Sequence, residues 1–168
     1  MAGLSASIRQ LSIDDLPVIL EIVNTASKKY CGVIPADCYH EPYMTEEELA
    51  QEMASMTFFG YSDNCEIVGV AGFQPVTDVT LIRHAYVRPE YQRRGVGAGL
   101  LVHLKTLTNT HRLLVGTWGA AQWAVDFYKK QGFRLLPDKD ELLGLYWDIS
   151  LRQIETSVVL GMELDRRS

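Results

Sequence analysis

Cysteine is scarce in this chain of 168 residues, and its three cysteines follow no metal-ligand spacing. They are Cys31, Cys38 and Cys65. Because an odd count does not build a disulfide framework, we expect a reducing compartment, the cytoplasm. Histidines, cysteines and carboxylates do not gather at ligand spacing elsewhere either, so no metal is expected.

Long apolar runs and an excess of positive charge are also lacking. No stretch approaches the length that spans a membrane, and residues 1–7 show no signal-peptide pattern. Lysine and arginine total 16 against 21 aspartates and glutamates, a net charge of −5. We therefore expect neither a membrane nor a nucleic-acid partner. An acidic chain tolerates a cationic amine substrate, but net charge is weak support for one.

The remaining composition is that of an ordinary globular protein. Hydrophobic residues make up 47% and charged residues 22%, enough apolar material for a sizeable core. We predict a single domain over residues 1–168. The predicted helices are 16–29, a Thr45-capped helix to about residue 56, 96–109, 121–131 and one within 137–147; the predicted strands are 7–11, 57–61, 66–74, 79–87, 113–117 and 157–164.

One stretch, residues 85–101, combines a strand end, a basic turn and a helix start. Pro89 ends the strand, because proline has no amide hydrogen for a sheet. Arg93 and Arg94 precede alternating glycines, and leucines at helical spacing follow. Free amides at a helix N-terminus beside two arginines favour an anion with more than one phosphate.

The glycine pattern distinguishes among phosphate-binding motifs. The Walker motif is absent, and the dinucleotide motif needs glycine where this chain has Leu100. The segment Gln92-Arg93-Arg94-Gly95-Val96-Gly97 resembles the Gln/Arg-x-x-Gly-x-Gly/Ala signature of the GCN5-related N-acetyltransferase (GNAT) superfamily. A tight glycine turn that binds nothing is the alternative.

A second segment strengthens this resemblance. Residues 124–133, Ala-Val-Asp-Phe-Tyr-Lys-Lys-Gln-Gly-Phe, are similar to the family element Ala-x-x-Phe-Tyr-x-x-x-Gly-Phe. The family often carries asparagine three residues earlier, where this chain has Ala121; Gln122 is a candidate to supply the missing hydrogen bond. The resemblance extends from Ile8 to the last strand.

The resemblance implies a fold, a cofactor and a set of site residues. The fold is a mixed, mostly antiparallel sheet, splayed between the central strand 79–87 and the next strand, with helices on both faces. Acetyl-CoA is the co-substrate: the glycine loop holds its pyrophosphate, and the end of the central strand pairs with its pantetheine. The implied cofactor-binding residues are Tyr86, Val87, Gln92, Arg93, Arg94, Gly95, Val96, Gly97, Ala98, Ala124, Phe127 and Tyr128. Tyr128 is also the implied general acid.

The general base has no clear candidate. Leu81 and Arg83 occupy the positions where family members often carry a base on the central strand. Because strand side chains alternate, His84 should point to the face opposite Arg83. A water-relayed base is the alternative, with Glu41, Asp78 or His40 at its end.

The acceptor side carries weaker expectations. Arg83, Tyr39 and Glu41 are candidate substrate residues, and Arg83 suggests an acceptor with a carboxylate beside its amine. The predicted function is acetyl transfer to an amine of a small molecule or peptide by direct attack in a ternary complex. Two alternatives stay open, a catalytically weak acyl-CoA-binding regulatory module and an unrelated nucleotide-binding protein. Since the family often dimerises through its last strands, a homodimer is one expectation.

Overall fold

The computed structural model of this chain describes residues 6–164. The strands are β1 (Ser7–Gln10), β2 (Thr57–Asp63), β3 (Glu66–Val76), β4 (Val79–Val87), β5 (Arg112–Trp118), β6 (Arg134–Leu135) and β7 (Ser157–Glu163). The α-helices are α1 (Leu16–Ala26), α2 (Glu46–Ser55), α3 (Val96–Leu107), α4 (Gln122–Lys130), α5 (Lys139–Tyr146) and α6 (Leu151–Thr156). Among these helices, none combines the length and apolarity needed to cross a membrane.

The strands form a sheet in the order β1-β2-β3-β4-β5-β7-β6. Pairing is antiparallel for β1–β2, β2–β3, β5–β7 and β6–β7, and parallel for β4–β5. The parallel register runs from Val79 opposite Arg112 to Ile82 opposite Val115, although β4 continues to Val87. The predicted mixed, mostly antiparallel sheet flanked by helices is confirmed.

The chain divides into two compact units. Within the described residues, the first unit comprises 6–29, 40–74 and 83–107, and the second comprises 30–39, 75–82 and 108–164. Strand β4 contributes its start to the second unit and its end to the first.

The core of the first unit lies where α1 and α2 cover apolar strand residues. Helix α1 places Ile19, Ile22 and Val23 on one face at helical spacing, and all three are fully buried. They pack in one cluster with Leu49 of α2 and Phe58 of β2. The predicted cap of α2 is confirmed, since the Thr45 hydroxyl accepts a hydrogen bond from the Glu48 amide at 3.1 Å.

The core of the second unit lies under α5. Leu142 and Leu143 of this helix are buried against Leu81 and Leu114. The sequence reading missed β6 and α6. Helix α6 starts in a capping box: the Ser150 hydroxyl accepts from the Gln153 amide at 3.2 Å, and the Gln153 side chain accepts from the Ser150 amide at 3.3 Å.

A buried arginine fixes the end of β4. Arg88 is 8% exposed, and its Nη1 donates to the Glu21 carboxylate at 2.7 Å while its Nε donates to the Ile67 carbonyl at 3.1 Å. Its amide donates to the Val68 carbonyl at 2.8 Å. Strand β4 is thereby tied to β3 and α1 immediately before the chain turns at Pro89.

Glycine at position 72 is required by a close backbone contact. A Cβ added there would lie 2.8 Å from the Arg83 carbonyl oxygen and 2.9 Å from the Met56 sulfur. We expect Gly72→Ala to lower the free energy of unfolding by about 1–3 kcal/mol, the usual cost of overpacking. Chemical denaturation at neutral pH measures it.

Gly144→Ala in α5 is the matched control, because a Cβ there meets nothing within 4 Å. It should stabilise the protein by up to about 1 kcal/mol, since alanine is the better helix former. Equal effects of the two substitutions would contradict the close contact at Gly72.

Candidate functional site

The glycine loop lies in the first unit between the buried Arg88 and α3. A short 3-10 turn, Pro89–Tyr91, leads into it, and the Gln92 side-chain amide donates to the Val87 carbonyl at 3.1 Å. Arg93 and Gly95 have positive φ angles of 64° and 82°. A left-handed residue directly before a helix turns successive amides toward a common point, an arrangement that binds anions.

The start of α3 leaves several of these amides without a partner inside the helix. Gly99 is the first helix residue whose amide bonds back, to the Gly95 carbonyl at 2.9 Å. The amides of Val96, Gly97 and Ala98 precede it, in the positions that a helix leaves unpaired. Two arginines stand at the same end, exposed, and the Arg94 guanidinium lies 5.3 Å from the centre of the Tyr91 ring.

Close packing holds the start of α3 against the sheet. A Cβ on Gly69 of β3 would lie 2.6 Å from a Val96 methyl, and one on Gly99 would lie 3.0 Å from the Tyr61 ring. Around Gly95, in contrast, a Cβ would meet nothing within 4 Å. The loop therefore has a rigid inner side and an open outer side, and the residues present fit a diphosphate.

The end of β4 carries the two residues predicted to pair with pantetheine. Tyr86 and Val87 are both half-buried. Tyr86 packs against the α1–α2 core, and Val87 accepts the hydrogen bond from Gln92. The strand end and the glycine loop are thus joined directly within the first unit.

The second predicted motif lies on α4 in the second unit. Tyr128 is buried, and its ring packs edge-on against Phe127 at 5.2 Å and Phe133 at 5.6 Å. Burial, and secondarily the nearby Tyr30, raises the pKa of Tyr128. Its hydroxyl therefore stays protonated at neutral pH and can donate a hydrogen bond or a proton.

The remaining residues of this motif lie around Tyr128. Ala124 and Phe127 are half-buried, and Gly132 has a positive φ angle of 95°, which is common for the residue that follows the end of a helix. Gln122, suggested as a substitute for the family asparagine, donates instead to the Asp126 carboxylate at 2.8 Å.

A charged cluster in the first unit corrects the prediction for His84. The Glu52 carboxylate lies 3.5 Å from Arg83 Nη1 and 3.4 Å from His84 Nε2. The two consecutive strand side chains therefore reach the same carboxylate, and the prediction that they point to opposite faces is wrong. The reason is the φ angle of 53° at His84, which interrupts the alternation of β4.

The His84 ring is closely packed, but one of its nitrogens lacks a good hydrogen bond. Its ring stacks on Phe58 with 6.1 Å between centroids, and 16% of its side chain is exposed. Nε2 is buried and makes no hydrogen bond of good geometry among the described residues, because the contact to Glu52 is long. The His84 ring, with a further contribution from Arg83, holds the pKa of the Glu52 carboxyl below its usual range, although burial opposes this.

The three candidate substrate residues, Arg83, Tyr39 and Glu41, differ in burial and in the unit to which they belong. Arg83 is half-buried and also approaches the Gln74 side-chain oxygen at 3.5 Å. Tyr39 belongs to the second unit and is half-buried, whereas Glu41 belongs to the first and is exposed. Their contact with a substrate stays a prediction.

Asp78 and His40, the two other residues proposed as a water-relayed base, already have hydrogen-bond partners. The Asp78 carboxylate accepts from the Tyr146 hydroxyl at 2.8 Å, which lowers the pKa of Asp78. His40 Nδ1 lies 2.8 Å from the Pro42 carbonyl. Among residues 6–164, no three metal-binding side chains come together.

The sequence reading overlooked Glu52, although the sequence contained a signal. The inward positions are Leu49 and Met53 of α2 and Met56 directly after it, and Glu52 lies three residues after Leu49. A carboxylate bordering an apolar helix face needs a partner when buried. The partner itself was not readable, because it depends on the backbone of β4.

Comparison with known proteins identifies relatives of this chain. The acetyltransferase (GNAT) domain family matches residues 23–145. A spermidine N(1)-acetyltransferase of Thermoplasma acidophilum is 24% identical over 148 residues, which cover 79% of this chain and 90% of that protein. The crystal structure of the PaiA N-acetyltransferase from the same organism, in complex with coenzyme A, has a TM-score of 0.73 at 18% identity and covers 95% of this chain and 99% of that one.

A further solved structure shows the same fold. An acetyltransferase from Thermus thermophilus has a TM-score of 0.71 at 20% identity, with 98% of this chain and all (100%) of that one covered. The resemblance stated from the two sequence motifs is confirmed.

The Glu52 cluster generates a prediction about stability and pH. A carboxyl whose pKa is lowered in the folded state stabilises the fold above its unfolded value, near 4.5, and loses that contribution as the pH falls further. We expect Glu52→Gln to cost about 1–2 kcal/mol at pH 7, and this difference should shrink between about pH 5 and pH 3.

Urea unfolding across this pH range measures the effect. Glu47→Gln, an exposed change on the same helix, is the control and should stay near the wild type throughout. A Glu52→Gln deficit that does not vary with pH would show that the carboxylate charge is unimportant.

Proposed function

This chain belongs to the acetyltransferase (GNAT) family, and we propose that it transfers the acetyl group of acetyl-CoA to an amine of a small molecule or peptide. The observation that carries the proposal is the glycine loop at the start of α3. Its unpaired amides, two arginines and open outer side together suit a diphosphate.

The loop and the strand end have separate tasks in this proposal. Residues 92–98 hold the diphosphate, mainly through backbone amides, and Arg93 and Arg94 add positive charge. Tyr86 and Val87 present the end of β4 to the pantetheine arm, which pairs with it as a short added strand. Because Arg88 and Gln92 fix this segment, the cofactor is oriented without large side-chain rearrangements.

The chemistry is direct attack in a ternary complex. The amine nitrogen forms a bond to the thioester carbon, and the carbon–sulfur bond then breaks. The Tyr128 hydroxyl, kept protonated by its buried setting, gives its proton to the leaving sulfur. Tyr128 later recovers a proton that the attacking nitrogen releases to solvent.

The acceptor we favour is a cationic small-molecule amine. The related spermidine N(1)-acetyltransferase and the net charge of −5 both support this class. Arg83 lies against Glu52, so its charge is partly balanced before any substrate arrives. An acceptor carboxylate at Arg83 therefore has to compete with Glu52, which makes a simple polyamine the better fit.

Coenzyme A binding tests the glycine loop. We expect calorimetry to detect binding of CoA but much weaker binding of pantetheine, which lacks the diphosphate. The double change Arg93→Gln and Arg94→Gln should weaken CoA binding by roughly tenfold or more, because hydrogen bonds to charged groups contribute about 1.5–3 kcal/mol.

Arg134→Gln, which removes an exposed arginine of β6, is the matched control and should bind CoA like the wild type. Equal binding of CoA and pantetheine, or no heat with CoA at millimolar concentration, would overturn the assignment of the loop.

Acetyl transfer itself is tested by release of free CoA thiol with an amine panel. The panel contains spermidine, glutamate, kanamycin and an alanine-initiated peptide, and we expect spermidine to react fastest. Tyr128→Phe should lower kcat by about 10²-fold or more while CoA binding is unchanged, because only the proton donor is lost.

Phe133→Leu keeps the hydroxyl of Tyr128 and controls for disturbed packing around its ring. Thiol release by no member of the panel, despite CoA binding, would favour the regulatory module. An unchanged kcat in Tyr128→Phe would remove Tyr128 from the chemistry.

A further inference from the structure

Strand β4 departs from regular geometry at one residue. His84 has a φ angle of 53°, in the left-handed region that side chains other than glycine, asparagine, aspartate and histidine rarely occupy. Such a backbone conformation is unfavourable and persists where the surroundings impose it, often at functional sites. Here the consequence is visible: Arg83 and His84 both reach the Glu52 carboxylate.

One nitrogen of the His84 ring, Nε2, lies beside a carboxylate. Nε2 is buried and faces Glu52 Oε1 at 3.4 Å without a well-formed hydrogen bond. A buried polar atom that is not fully satisfied calls for an explanation, and a catalytic role is one of the few. A carboxylate beside Nε2 favours the tautomer with its hydrogen on Nε2, and that tautomer has its lone pair on Nδ1.

The charges around the ring favour a proton acceptor. The ring faces the Glu52 carboxylate of α2, which Arg83 of its own strand also approaches, and it stacks on the apolar Phe58 of β2. Gln74 of β3 approaches Arg83 and is neutral. A carboxylate beside the ring favours a positive charge on it, and the Arg83 guanidinium on the same carboxylate opposes that effect.

We propose that His84 is the general base of the acetyl transfer and that Glu52 is the residue that positions its ring and stabilises its protonated form. The inference rests on the proposed function. His84 lies two residues before Tyr86 on β4, or roughly 7 Å along a strand. In this proposal the thioester lies beside Tyr86 and Val87, and the ring takes the proton of the nucleophile directly or across one water molecule.

The proton balance closes with residues of this chain. The acceptor arrives as an ammonium ion and loses one proton to His84 Nδ1, which creates the nucleophilic lone pair. The nitrogen–carbon bond forms, the carbon–sulfur bond breaks, and Tyr128 protonates the sulfur. The nitrogen releases its second proton to restore Tyr128, and the His84 imidazolium returns its proton to solvent, so the net products are amide, thiol and one proton.

Glu52 itself is a poorer candidate for the base. Its carboxylate is shared by two cationic or potentially cationic groups, and both favour its ionised, weakly basic form. The same arrangement suits a positioning residue, because a carboxylate beside one ring nitrogen fixes the tautomer that leaves the other nitrogen basic.

The decisive variant is His84→Asn, since asparagine tolerates the left-handed backbone but accepts no proton at neutral pH. With acetyl-CoA and the fastest amine of the panel, we expect kcat to fall about 10²-fold at pH 7. CoA binding should be unchanged. The deficit should shrink as the pH approaches the pKa of the acceptor ammonium, because more of the amine then arrives already neutral.

His111→Asn makes the same chemical change at an exposed site and should retain full activity. A His84→Asn deficit that is equal at all pH values would indicate a structural role and overturn the inference. So would an unchanged kcat. If the wild-type protein does not bind CoA, the proposed function itself is refuted.

Glu52→Gln separates positioning from catalysis. The acidic limb of the kcat/KM profile should move to lower pH, because an amide stabilises the imidazolium less than a carboxylate does. Nitrogen-detected NMR of the histidine rings gives a readout that needs no acceptor: the wild type should show the Nε2–H tautomer at His84, and Glu52→Gln should reduce its population. An Nδ1–H tautomer of His84 in the wild type would contradict the roles proposed for His84 and Glu52.

Discussion

The geometry of the candidate site depends on the burial of one guanidinium group, that of Arg88. A charge taken out of water is tolerated only when it is paired and hydrogen-bonded, and Arg88 meets this condition with the Glu21 carboxylate, the Ile67 carbonyl and its own amide on Val68. These bonds lock the end of β4 to β3 and α1. These bonds also restrict the segments on either side of Arg88. The glycine loop begins shortly after Arg88, and His84 lies four residues before it.

The glycines of this region serve different physical purposes. Gly95 supplies a left-handed turn that directs amides outward, and its surroundings are open. Gly69 and Gly99 instead remove side-chain volume, so that α3 can approach the sheet at Val96 and Tyr61. An anion site on a helix N-terminus needs both: exposed amides on one side and a firmly seated helix on the other. The sequence motif records the glycines but not this division.

The charged cluster around Glu52 shows how a strand defect creates chemistry. In a regular strand Arg83 and His84 would lie on opposite faces, and one carboxylate would not meet both. The left-handed residue brings them together and leaves a ring nitrogen incompletely bonded beside an acid. A cluster of this kind gives little stability by itself, because burying its charges costs about as much as pairing them returns. Its value lies in the protonation states that it fixes.

The sequence by itself determined the family, the central strand 79–87, the glycine loop and the α4 motif, because these rest on local signals: periodicity, proline and glycine placement, and fixed spacing. It also placed α5, where Leu142, Leu143 and Tyr146 are spaced so that they lie on one side of a helix. It missed β6, which is too short to show a period, and the meeting of Glu52 with His84. Only the tertiary structure decided that meeting, because it joins a helix and a strand about 30 residues apart and depends on one φ angle. Spacing along a chain does not encode a backbone torsion that long-range packing imposes.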